Sequence, residues 1–161
     1  MMTTNLKDCD LCELLATSAK DTFEQLAFIF AYSSDCPVDE PWEKPCITAR
    51  SHFSGPAEGM ISVSVSEDIL LSLTCNMLGL DQDDPSALEK EQQHDAFMEL
   101  LNVISGNFLP EAFGTEAVFD LGRLIVLEDV CNGAFYEGMS RKCSVRLDIE
   151  DSRCDILLFL K

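Results

Sequence analysis

Four residues in the middle of the chain follow one another at the spacing of helical turns: Asp95, Glu99, Asn102 and Gly106. At about 100° per residue they fall within an arc of about 60°, on the side of a helix opposite Phe97, Leu101, Ile104 and Phe108. That side should face solvent. Its carboxylates suit pairing with a partner's cation, and the amide of Asn102 offers both a donor and an acceptor while staying neutral at any relevant pH. Asn102 in mid-helix costs roughly a few tenths of a kcal/mol, and Gly106 about 1 kcal/mol more, relative to good helix formers. A glycine on an exposed line leaves room for close approach by another body. From the pattern alone, an ordinary solvated face on which Gly106 begins the unwinding toward Pro110 is the favoured reading.

The helix that must carry these residues is predicted from Ser86 to about Leu109, stopped by Pro110 and Gly114. An earlier amphipathic helix is expected from Asp10 to Tyr32, where Leu11, Leu14, Leu15, Phe23, Leu26, Ile29 and Phe30 recur at threes and fours. An acidic connection containing Pro37, Pro41, Pro45 and the only tryptophan, Trp42, follows and is expected to cross the surface. Alternation in Ile47–Phe53 and Ile61–Val65 then predicts a hairpin, with its turn at 55–59. Ser66 reads as the N-cap of a short helix reaching about Met77 and stopped by Gly79, with Glu67 and Asp68 against its positive end. The remainder reads as strands at Ala117–Leu127, around Ala134–Met139, at Lys142–Ile149 and at Arg153–Leu160, with a tight turn at 150–152. This order predicts an α+β fold of one domain over 1–161, helices packed on one face of a mostly antiparallel sheet.

Twenty-nine acidic residues against 11 Lys and Arg give a net charge of −18, which argues against nucleic acid or an anionic membrane as a partner. No apolar run approaches the roughly 20 residues of a membrane span, and residues 1–15 lack a secretory signal pattern, so a cytoplasmic location is expected. The eight cysteines are accordingly expected to be reduced. Cys9 and Cys12 have the spacing of a metal or redox pair, but no second such pair or suitably spaced histidine follows, and a structural role is favoured. His52 and His94 carry no motif. Asp81, Asp83 and Asp84 lack the glycine and later glutamate of a calcium loop and read as a solvated turn. Trp42 is favoured as a cover for the sheet over a partner contact.

The string Asp95-Ala-Phe-Met-Glu99-Leu-Leu-Asn102, continued by Ser-Gly106-Asn107 and by Val118-Phe119-Asp120-Leu121-Gly122, resembles the signature of the CheC/CheX/FliY family of chemotaxis phosphatases. In that signature a Ser or Asp is followed at fixed spacing by Glu and then Asn. The order of elements also resembles the family's CheC-like fold. Members with two sites repeat the signature on their first helix; here Ser18, Thr22 and Gln25 stand there, so a single, CheX-like site is implied. The resemblance implies hydrolysis of the aspartyl phosphate on a CheY-like response-regulator receiver in chemotaxis or two-component signalling. Asn102 would position the attacking water, Glu99 would pair with the receiver's active-site lysine, and Asp95 would add to docking. Gly106 would relieve crowding at the contact, by our own inference. No cofactor of the chain's own is implied, since Mg²⁺ would belong to the receiver, and a homodimer formed through the sheet is expected. The competing expectation is a catalytically silent binding or oligomerisation module, similar to the middle domain of the flagellar switch protein FliM.

Overall fold

The alternation read in residues 46–66 builds the centre of the sheet. In the computed structural model, which describes residues 6–80, 88–128 and 138–161, strands β2 (Cys46–Ser54) and β3 (Gly59–Ser66) pair antiparallel from Cys46↔Ser66 to Phe53↔Gly59. The C-terminal hairpin, β5 (Ser140–Ile149) and β6 (Ser152–Leu160), adds to β3 through β6. β4 (Asp120–Glu128) pairs with β2, and the three-residue β1 (Ala31–Ser33) pairs with the end of β5. The six strands lie in the order β1-β5-β6-β3-β2-β4, every pair antiparallel. Three helices, α1 (Asp8–Ala27), α2 (Glu67–Leu78) and α3 (Lys90–Phe113), join one face of this sheet in a single apolar core.

Period-2 burial decides which residues meet the helices. Val145, Leu147 and Ile149 of β5 and Cys154, Ile156 and Leu158 of β6 enter the main core. On the other face of the sheet, Met60, Leu157 and Phe159 pack with Val38 from the proline-rich connection. Arg153 also lies there, 2.7 Å from the buried Asp155 carboxylate, and donates to the carbonyls of Val38 and Pro41. Its guanidinium stacks over the Trp42 ring at 4.2 Å, so Trp42 does cover the sheet. The connection is thus tied to the sheet by donors that burial makes obligatory to satisfy.

Three expectations are corrected. The first helix ends at Ala27, because Phe28 turns left-handed (φ 54°) and the amides of Phe28 and Ile29 fold back onto the carbonyls of Glu24 and Phe23. Ile29 continues the helical spacing from Leu26, yet residues 29–32 alternate buried and exposed and lead into β1. The third helix does not stop at Pro110. It runs through that proline to Phe113 and is closed by Gly114, whose amide donates to the Pro110 carbonyl at 2.9 Å. Nor are all cysteines reduced, for Cys46 is disulfide-bonded.

The short helix forms as its signals dictate, with the Ser66 hydroxyl accepting from the Ile69 amide at 3.4 Å and Gly79 (φ 68°) closing α2. The expected start at Ser86, the acidic turn at 81–84 and most of the predicted strand at 134–139 lie outside the described residues.

Gly59 shows how tightly the hairpin is packed. A Cβ there would collide with the Phe159 carbonyl oxygen and come within 2.8 Å of the Phe53 ring. Gly59→Ala should lower the free energy of unfolding by about 1–3 kcal/mol, measured by urea denaturation.

Candidate functional site

Helix α3 is held on three sides. It packs on α1 and α2 and reaches β2, β3 and β4. Its entry is fixed by Glu89 and Gln92, with the Gln92 side chain accepting from the Glu89 amide at 3.0 Å while the Glu89 side chain accepts from the amide of Gln92. Phe97, Leu100, Leu101, Ile104 and Phe108 are fully buried, which fixes the rotation of the helix about its axis.

With that rotation fixed, the polar line has one place to go. Asp95, Glu99, Asn102 and Gly106 are all exposed and share the outward face of α3. The side chains of Asp95, Glu99 and Asn102 are engaged by no other described residue. Glu91, one turn earlier, is also exposed, so three carboxylates lead along the helix to the amide of Asn102.

A Cβ built on Gly106 meets nothing within 4 Å. Nothing in the described chain therefore requires glycine for lack of space. Pro110, four residues on, has no N–H to give to the Gly106 carbonyl, and its ring crowds that carbonyl. The helix absorbs the proline and continues, so Gly106 does not mark an unwound end. Beyond Gly106 the same side of the helix dips under apolar cover, where Phe113 meets Phe119 at 5.5 Å between ring centroids.

Sequence reasoning missed the partner of His94. Its Nε2 lies 3.3 Å from Glu128 on β4, and Lys90 Nζ lies 2.6 Å from the same carboxylate. Lys90 foremost, with a smaller contribution from His94, holds the Glu128 carboxyl below its usual range. This cluster ties the first turns of α3 to the edge strand β4. The signal was unreadable locally because Glu128 stands 38 residues from Lys90.

The first helix presents no equivalent face. Ser18 and Thr22 point into the core, and the Thr22 hydroxyl donates to the Ser18 carbonyl at 2.7 Å. Cys9 and Cys12 meet no metal-binding set, since no group of three or more His, Cys, Asp or Glu residues placed to hold a metal occurs among the described residues. His52 is exposed on β2. Among the described residues no helix is long and apolar enough to cross a membrane.

Comparison with known proteins agrees with this architecture. Residues 47–135 match the family described as chemotaxis phosphatase CheX. The fold is similar to the chemotaxis protein CheX from Vibrio vulnificus, with TM-score 0.76 and 14% identity over 98% of this chain and 100% of that one. It is also similar to a chain of the CheX–CheY–BeF3–Mg²⁺ complex from Borrelia burgdorferi, with TM-score 0.73 and 16% identity over 92% of this chain and 96% of that one. The FliM middle domain from Vibrio alginolyticus is a more distant likeness, with TM-score 0.55 and 13% identity over 94% and 92% of the two chains. No curated protein sequence matches. With more than half of its length, the outward face of α3 included, inside the matched segment, the chain belongs to the CheX family of chemotaxis phosphatases.

Proposed function

We propose that this chain hydrolyses the aspartyl phosphate of a CheY-like receiver, with α3 as the docking element and Asn102 as the residue that positions the attacking water. The observation that carries this reading is the unengaged outward line of Asp95, Glu99, Asn102 and Gly106 on a helix whose opposite side is immobilised in the core. Support comes from the Borrelia relative, which was crystallised with CheY bearing beryllofluoride, a stand-in for the phosphoryl group, and Mg²⁺.

An aspartyl phosphate is already reactive, so the protein's task is geometric. The carbonyl of Asn102 accepts a hydrogen bond from water and holds it in line with phosphorus, while the amide NH₂ donates to a phosphoryl oxygen or a metal ligand of the receiver. Asn102 neither gains nor loses a proton in this role. Glu99, one turn earlier, pairs with a receiver lysine and sets the register of the helix over the phosphate, and Asp95 extends the same docking line. Mg²⁺ comes with the receiver. The reaction takes place in the cytoplasm, where receivers are phosphorylated.

The open part of the sheet edge supports assembly as a homodimer. β1 covers only Leu147–Ile149 of β5, and the earlier residues of β5 have no described strand on that side. A second copy adding there would give a dimer through a continuous sheet. Light scattering should then return twice the 17.9 kDa chain mass.

Three substitutions test the site. Asn102→Ala should slow the accelerated decay of a phosphorylated receiver by about 10²-fold. Because the position is exposed, its unfolding free energy should stay within about 0.5 kcal/mol of wild type. Equal receiver lifetimes with wild type and Asn102→Ala, across the host's receivers, would overturn the enzymatic reading and favour a silent module of the FliM-like kind. Glu99→Ala should raise the receiver concentration needed for half-maximal rate by roughly tenfold, with a smaller change at saturation. Gly106→Ala should act with opposite signs, stabilising the free protein by about 0.5–1 kcal/mol in thermal denaturation while slowing receiver dephosphorylation.

A further inference from the structure

Helix α1 and strand β5 meet at a pair of thiols. Cys12 is half-buried beside Leu11 and Leu15 on α1, and Cys143 is 2% exposed on the helix-facing side of β5. A register shift in the β5–β6 ladder falls between Arg141 and Cys143. The two sulfurs lie 2.6 Å apart. Carbon atoms pack at about 3.5–4.0 Å and sulfur is the larger atom, whereas a disulfide bond spans about 2.05 Å. No side chain stands between them, so joining them requires only a small further approach. The Asp8 carbonyl also faces Cys143 Sγ at 3.9 Å, which closes the first turn of α1 over the strand.

The two thiols differ in access. Burial first, and then the neighbouring Cys12, push the Cys143 thiol up, which keeps it protonated. Cys12 is the more open of the two, and Cys9, one turn before it, is exposed. Cys46 shows that this chain already holds one disulfide.

We propose that Cys12 and Cys143 are a cross-linking site, forming a disulfide between α1 and β5 when a peroxide reaches Cys12. The Cys12 sulfur attacks one peroxide oxygen, which breaks the O–O bond, leaves a sulfenic acid on Cys12 and releases one water. The Cys143 thiol passes its proton to the sulfenic hydroxyl as its sulfur attacks the Cys12 sulfur, so that the S–O bond breaks and the hydroxyl leaves as a second water. Two thiols lose two electrons in total, and the peroxide takes them up. Because α1 packs directly on α3, the bond fastens the platform beneath the docking helix to the sheet.

The test is peptide mapping of the folded protein, first reduced and then treated with hydrogen peroxide, with free thiols alkylated after unfolding. Wild type and Cys9→Ser should both yield a linked peptide pair containing Cys12 and Cys143, short of two hydrogens, and Cys12→Ser should not. The cross-link joins points far apart in the chain, so peroxide should also raise the Tm of Cys9→Ser by an amount on the order of 5–10 °C more than it raises that of the Cys9→Ser/Cys12→Ser double variant, in which Cys46 is oxidised alike. A Cys9–Cys12 bond with Cys143 still alkylatable, or full alkylation of both Cys12 and Cys143, would overturn the proposal. Neither result depends on whether the chain acts on receivers.

Discussion

The rotation of α3 about its own axis is the constraint on which the rest depends. Five large apolar side chains, Phe97, Leu100, Leu101, Ile104 and Phe108, are wholly buried against α1, α2 and the central strands. Turning the helix by even a quarter of a revolution would expose several of them, at a cost of about 1.5–3 kcal/mol for each side chain. The position of Asn102 is therefore set by residues that do no chemistry. The start of the helix is fixed as well, by the capping pair Glu89 and Gln92, by the ion pair of Lys90 with Glu128 and by the contact of His94 with the same carboxylate. The role proposed for Asn102, the positioning of a water, gains most from a rigid support.

The sheet supplies that support and is itself braced from behind. Arg153 and Asp155 form a buried ion pair on the face away from the helices, and Arg153 reaches the connection through Val38 and Pro41. Removing one partner would strand the other's charge in the interior. The long connection at residues 34–45 is thereby held on the sheet, leaving the helical face to carry α3. The two faces differ in kind: one is closed by helices around a large apolar core, the other by a loop over a small apolar cluster and buried polar contacts.

The elements that local chemistry specifies were legible from sequence. Ser66 and Gly79 bound α2 because a hydroxyl cap and a left-handed glycine act within a few residues. The polar line of α3 was legible because helical spacing sorts Asp95, Glu99, Asn102 and Gly106 away from the apolar stripe. What failed depended on distant partners. Ile29 satisfied both the helical and the strand period, and only pairing with β5 decided that residues 31–33 form a strand. Pro110 looked like a stop, yet tertiary packing of Ala112 and Phe113 carries the helix through it. The contact of Glu128 with His94 and the meeting of Cys12 with Cys143 join residues from opposite ends of long segments, and no local pattern announces them.

The most direct measurement is a nuclear magnetic resonance titration of the isotope-labelled protein with a receiver activated by beryllofluoride and Mg²⁺. Backbone and side-chain amide shifts should centre on Asp95 to Gly106, with the Asn102 side-chain NH₂ among the most perturbed and the Trp42 indole unchanged. Perturbation centred on the opposite face of the sheet, around Trp42 and Arg153, with α3 silent, would contradict it.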